Sequence, residues 1–160
     1  MRWWMLGLSV MVGASVAQAG VLAPRRASDV VRVDGGIGSG DCSPYLGAGR
    51  QFDTVLHPDG TTEPLEVPGK RALVVTEVEI LGFGGTPGDG NQVRLFVGTP
   101  ANGLSLVSRR EQPFDGDGRV FYVLSFTPGI VVPSGGLICM NNSDNATLTG
   151  ALSGYFVKQK

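Results

Sequence analysis

From residue 20 onwards, apolar residues nowhere recur at helical spacing for even three turns. They come in short blocks, several of them alternating, and Gly, Pro, Asn and Asp stand between the blocks. A chain written this way cannot present a long buried helical stripe, but it can form strands joined by tight turns. The blocks fall at residues 30–33, 52–56, 71–83, 93–97, 103–108, 119–127, 130–132, 137–140 and 147–157. About nine strands at roughly even spacing predict an all-β domain, an antiparallel two-sheet β-sandwich of jelly-roll type, with a closed β-barrel as the alternative.

The longest run, 71–83, sets Val74, Thr76, Val78 and Ile80 on one side and Glu77 and Glu79 on the other, as a sheet with one wet face requires. In the same way Val93, Leu95 and Val97 are expected to face a core, with Arg94 and Phe96 turned outward. Val120, Tyr122, Leu124 and Phe126 would face inward, leaving Phe121 and Val123 outside beside Arg119. A slip of one residue would exchange the two faces. If the register holds, Phe96, Phe121 and Arg94 form a candidate binding face, since outward rings can stack on sugars or enter a protein interface.

The chain opens with Met1-Arg2, then a mostly apolar run from residue 3 to 16, then Ala17-Gln18-Ala19. Basic start, apolar middle and small-x-small ending are the three parts of a cleavable secretory signal. The run is too short for a membrane anchor and carries no stop-transfer charge. No Cys stands at the cleavage point for lipid attachment, and Arg25-Arg26 follows the apolar run, so it is no twin-arginine signal. The expected organisation is a signal peptide over 1–19, an N-terminal arm and Gly-rich link over 20–40, and a sandwich over 41–160. The destination is the periplasm or the exterior, and the short signal suggests a bacterial source, with no membrane anchor after cleavage.

Removing 19 of 160 residues leaves 141, the size of one domain. Of 13 basic and 14 acidic residues only Arg2 is lost, which leaves a formal charge of −2. With no basic stripe, binding to nucleic acid or to an anionic membrane is disfavoured. Cys42 and Cys139 are the two cysteines, and in an exported chain they are expected to form one disulfide.

The chemistry-bearing residues are sparse. The one histidine, His57, precedes Pro58 in a turn, a poor seat for a catalytic base, and no Gly-x-Ser-x-Gly elbow follows the signal. One His and two paired cysteines cannot make a zinc site. Asp115-Gly116-Asp117-Gly118 lacks the later ligands of a calcium loop and reads as a hairpin turn. The Gly-rich stretches at 35–40 and 82–90 lack the Lys-Ser/Thr ending of a phosphate loop. No metal, cofactor or catalytic residue is therefore expected. Glu77 with Glu79, and Glu63 with Glu66, are the carboxylate pairs on which a hydrolase reading would have to rest.

Pro133-Ser134-Gly135-Gly136-Leu137, followed by a last strand ending Gly154-Tyr155-Phe156-Val157, resembles the closing strands of jelly rolls of the tumour-necrosis-factor and complement C1q type. The likeness covers the last quarter of the chain and implies a fold, with no binding residues attached. Taken together, the sequence points to an exported binding or interaction module that engages a protein or glycan, or itself as a homo-oligomer. A carbohydrate-binding domain is the alternative, and a carboxylate-dependent hydrolase ranks last.

Overall fold

In a computed structural model of the chain, residues 30–36, 42, 49–143 and 146–159 are described. The expected signal peptide, at 1–19, lies outside them. Nine strands are present among the described residues: β1 (Val30–Gly35), β2 (Arg50–Leu56), β3 (Thr62–Pro64), β4 (Arg71–Phe83), β5 (Gly90–Thr99), β6 (Gly103–Pro113), β7 (Arg119–Val132), β8 (Leu137–Asn142) and β9 (Thr147–Lys158). All pairings are antiparallel.

The long sheet runs β3-β2-β1-β9-β4-β7, and the short sheet runs β2-β8-β5-β6. Strand β2 serves both. Arg50 and Gln51 pair with β8, and from Phe52 onward the strand pairs with β1. The hydrogen-bonded path is thus continuous from β6 to β7, which closes the sandwich along one side and gives it a barrel-like outline. From β4 the chain passes to the β5–β6 hairpin in the other layer, returns for β7, crosses for β8 and returns for β9. That alternation between layers is the jelly roll. The segment read as arm and link contributes β1, which lies between β2 and β9 with Val33 fully buried.

The core lies between the layers. Val33, Phe52, Leu73, Val75, Val78 and Ile80 enter it from the long sheet, and Val93, Leu95, Val97, Ile138 and Met140 from the short one. Tyr122 is buried too, and its hydroxyl donates to the Asn91 backbone carbonyl at 2.7 Å, so the ring brings no unsatisfied polar group inside.

The structure corrects the expected register in one place. A bulge at Thr76 shifts the phase of β4, so Leu73 and Val75 face the core while Val74 turns outward into a small cluster with Ala72, Val157 and Tyr155. Thr76 Oγ1 donates to the Ser153 carbonyl at 3.2 Å, which anchors the bulge. Opposite the bulge, β7 is a single strand where the sequence suggested two, but its pairing with β4 steps from Ser125 to Ile130 and leaves residues 126–129, with Pro128-Gly129 among them, outside the ladder. Proline is tolerated because it falls in that unpaired stretch of an edge strand, where no ladder hydrogen bond is lost. Gly129 has φ 115°, and a Cβ there would come within 2.6 Å of Val74 Cγ1. The short β3, too polar to show an apolar block, is the strand the sequence did not reveal.

The disulfide joins Cys42 to Cys139 with a Cα–Cα separation of 6.2 Å. Ile138 and Met140 point into the core, so Cys139 points out of the short sheet, and Cys42 is held against that outer face. Both cysteines are essentially inaccessible.

Candidate binding site

The alternation expected for β5 and β7 holds. Val93, Leu95, Val97, Val120, Tyr122 and Leu124 are buried, while Phe96 and Arg94 are half-buried on the opposite side of β5. Phe121 is 54% exposed and Val123 51% exposed on the outward side of β7. The two rings do not share a face, however. Phe96 lies on the outside of the short sheet and Phe121 on the outside of the long sheet, with the core between them. Alternation fixes which side of its own strand a residue takes, but not which layer that strand joins.

Phe96 has a local role that accounts for its partial burial. It is the cross-strand neighbour of Cys139 on one side and of Leu106 on the other. The ring therefore borders the disulfide. Arg94, two residues earlier, donates from Nε to Gln92 Oε1 at 2.7 Å.

Phe121 borders a groove of about 520 Å³ that runs along β9 on the outer face of the long sheet. Small residues form its floor, Thr149, Gly150 and Ala151 on β9. Leu81, the cross-strand partner of both Thr149 and Phe121, stands with Glu79 and Phe121 on one wall. Arg32, Asp34, Asp53 and Thr54, from β1 and β2, make the other.

The two walls meet over β9. Arg32 on β1 and Glu79 on β4 are separated by a full strand, about 10 Å in backbone terms. Their side chains still approach to 3.5 Å, because Ser153 and Ala151 between them are too small to intervene. Arg32 Nε also lies 3.9 Å from Asp34 Oδ1. The guanidinium is thus held between two carboxylates in a half-exposed position. Such a pair adds little to stability but limits the rotamers of all three side chains.

A second groove of about 530 Å³ lies at the other end of the same sheet, bordered by Val55, Leu56, Pro64, Pro68 and Phe156. Arg71 sits over the Phe156 ring at 5.2 Å from its centre. His57 is at its rim in the turn expected for it, with Nε2 3.3 Å from Glu63 Oε1, an ion pair whenever the ring is protonated. In the same turn, the Thr61 hydroxyl and amide both donate to Asp59, and these bonds hold its carboxyl below the usual range.

Among the described residues other sequence candidates resolve into structural parts, while residues 37–40 of the first Gly-rich stretch lie outside them. Asp115 Oδ1 accepts from the amides of Asp117 and Arg119 at 2.9 and 2.8 Å, so this carboxylate builds the turn. The Gly84 and Gly85 amides donate to the Gly118 carbonyl and are not turned toward an anion. Glu77 and Glu79 do share the outer face. Sequence reading did not single out Arg32, Asp34 or Asp53. The outward phase of Arg32 and Asp34 against the inward Val31 and Val33 was there to be read, but the strand order that sets them across from Phe121 was not.

No protein family and no curated protein matches the chain. Among solved structures it is similar to a protein described as Eiger TNF from S. frugiperda, with 15% identity over 84% of this chain and 88% of that one and a TM-score of 0.36. The jelly roll described above stands on strand order and register, independent of that likeness.

Proposed function

We propose that the chain is an exported binding or interaction module whose working surface is the outer face of the long sheet around Phe121. The observation that carries this reading is the joint exposure of Leu81, Phe121 and Val123 on adjacent strands, the first two of them bordering a groove. Single exposed apolar residues are ordinary, but a contiguous group beside a concavity marks an interaction surface.

Two further features support export to the periplasm or exterior. The leader at residues 1–19 has the order of a secretory signal. The disulfide suits an oxidising compartment. Among the described residues no helix is long and apolar enough to cross a membrane. The partner is a protein or a glycan, and self-association is the form that needs no second component. The reading is one of binding and assigns the protein no turnover.

Light scattering over a range of concentrations, together with a glycan array, tests the reading on the mature chain. Phe121→Ser is expected to weaken whatever association the wild type displays by tenfold or more, the scale of a lost aromatic anchor. Phe96→Ser, on the other layer, should leave it unchanged. Equal behaviour of the two variants, or a wild type that associates with nothing, would overturn the assignment.

A further inference from the structure

We infer that the Phe121 groove is a binding site for neutral oligosaccharides; the inference rests on the reading of this face as the working surface and gives its ligand a chemical class. Three properties of the groove narrow the choice. Its charge comes first. Among the described residues, Asp34 beside Arg32 and Glu79 across β9 from it outnumber the guanidinium they share, so phosphate, sulfate and uronate groups would meet a net negative lining. Arg32 in turn sits between Asp34 and Glu79 and partly neutralises them, which weakens the case for a cationic peptide.

Hydrogen-bonding capacity comes second. Carboxylates accept from hydroxyl pairs through charge-assisted bonds, and the guanidinium donates to hydroxyl or ring oxygens. A neutral sugar offers donors and acceptors at a spacing that planar groups like these can meet. The ion pairs that restrain Arg32 across β9 reduce the ordering cost of binding.

Shape comes third. Thr149, Gly150 and Ala151 leave a depression of about 520 Å³, within the usual range for small-ligand sites, and Phe121 offers an exposed ring at its edge. The apolar face of a sugar ring can lie on that phenyl group while its hydroxyls turn toward Glu79, and the next sugar along the groove would meet Asp34 and Arg32 beyond β9. The groove is open along its length, which suits an internal stretch of a chain better than an enclosed monosaccharide.

Amide chemical-shift titration of the mature protein tests this, with cellotriose, maltotriose and chitotriose as neutral probes and trigalacturonate as the acidic one. A neutral trisaccharide is expected to shift the amides of Arg32, Asp34, Phe121 and the 149–151 segment. Phe121→Ala should weaken that binding tenfold or more, Phe96→Ala should not, and trigalacturonate should bind at least tenfold more weakly. Shifts that map elsewhere, preference for the acidic probe, or no response to any neutral probe would overturn the inference. If no sugar binds while Phe121→Ser still abolishes self-association, the sugar assignment fails and the broader reading of the face survives.

Discussion

Gly150 illustrates how one residue without a side chain sets the geometry on both sides of a sheet. It pairs with Gly35 on β1 and Ile80 on β4, and the Phe52 ring packs against the two glycines from the core side. A Cβ at Gly150 would lie 2.6 Å from the Glu79 carbonyl oxygen, and 3.4 Å from both Ile80 and Phe52. The oxygen belongs to the backbone of a central strand and cannot swing aside. Gly150→Ala is therefore expected to cost about 1–3 kcal/mol, the usual range for overpacking a well-filled core. Urea unfolding would register it as a lower midpoint with an unchanged slope. An unaltered midpoint would mean that β9 can move away from β4 at little cost. Tyr122 makes a related point, because its inward position follows from alternation, whereas its hydrogen bond to Asn91 depends on β5 lying across the core from it.

At the level of strands, β1 is the element whose importance the sequence least advertised. Its block at 30–33 reads as a short strand, but one set in an N-terminal arm and Gly-rich link, apart from the sandwich. In the fold it fills the gap between β2 and β9, buries Val33 and supplies Arg32 and Asp34 to the groove. A chain beginning at Asp41 would leave two unpaired strand edges in the middle of the long sheet, each a template for aggregation. It is expected to show no cooperative thermal transition, whereas a chain starting just before Val30 should show one. A sharp transition in the shorter chain would show that β2 and β9 can close on each other. The same contrast marks what the sequence made legible. Alternation correctly identified the inward faces of β5 and β7 and the outward Phe121, since local period is a local property. Val74 was misassigned because a bulge adds a residue to one strand without a consistent residue signature. The groove escaped because it is built from β1, β2, β4, β7 and β9, and their adjacency follows from topology, which no single block encodes.

The whole molecule is tied together by one covalent link, and its position determines what its loss should do. Cys42 lies in the connection between β1 and β2, while Cys139 lies on the outer side of β8, 97 residues further along. The bond therefore closes a loop around most of the domain and fastens the early connection to the outside of the short sheet. Chain-entropy reasoning gives about 4–5 kcal/mol for a loop of this length, while removal of native disulfides from small secreted domains typically costs about 2–5 kcal/mol. Neither sulfur belongs to the main core, which the two sheets fill without them. Replacing both cysteines by alanine should thus preserve the fold, judged by an unchanged far-ultraviolet spectrum, and lower the melting temperature by roughly 5–20 °C. Reductant in a denatured-then-refolded sample should have the same effect, whereas brief reductant on the native protein should act slowly because both cysteines are inaccessible. A melting temperature within a degree or so of the wild type would show that the sheets alone hold the β1–β2 connection in place. Collapse of the spectrum would show instead that β8 needs the Cys42 connection to stay seated between β2 and β5. Phe96 offers an internal check, since it lies next to Cys139 on that outer face: its ring should become more mobile in the cysteine-free protein, while Phe121, on the opposite layer, should not change.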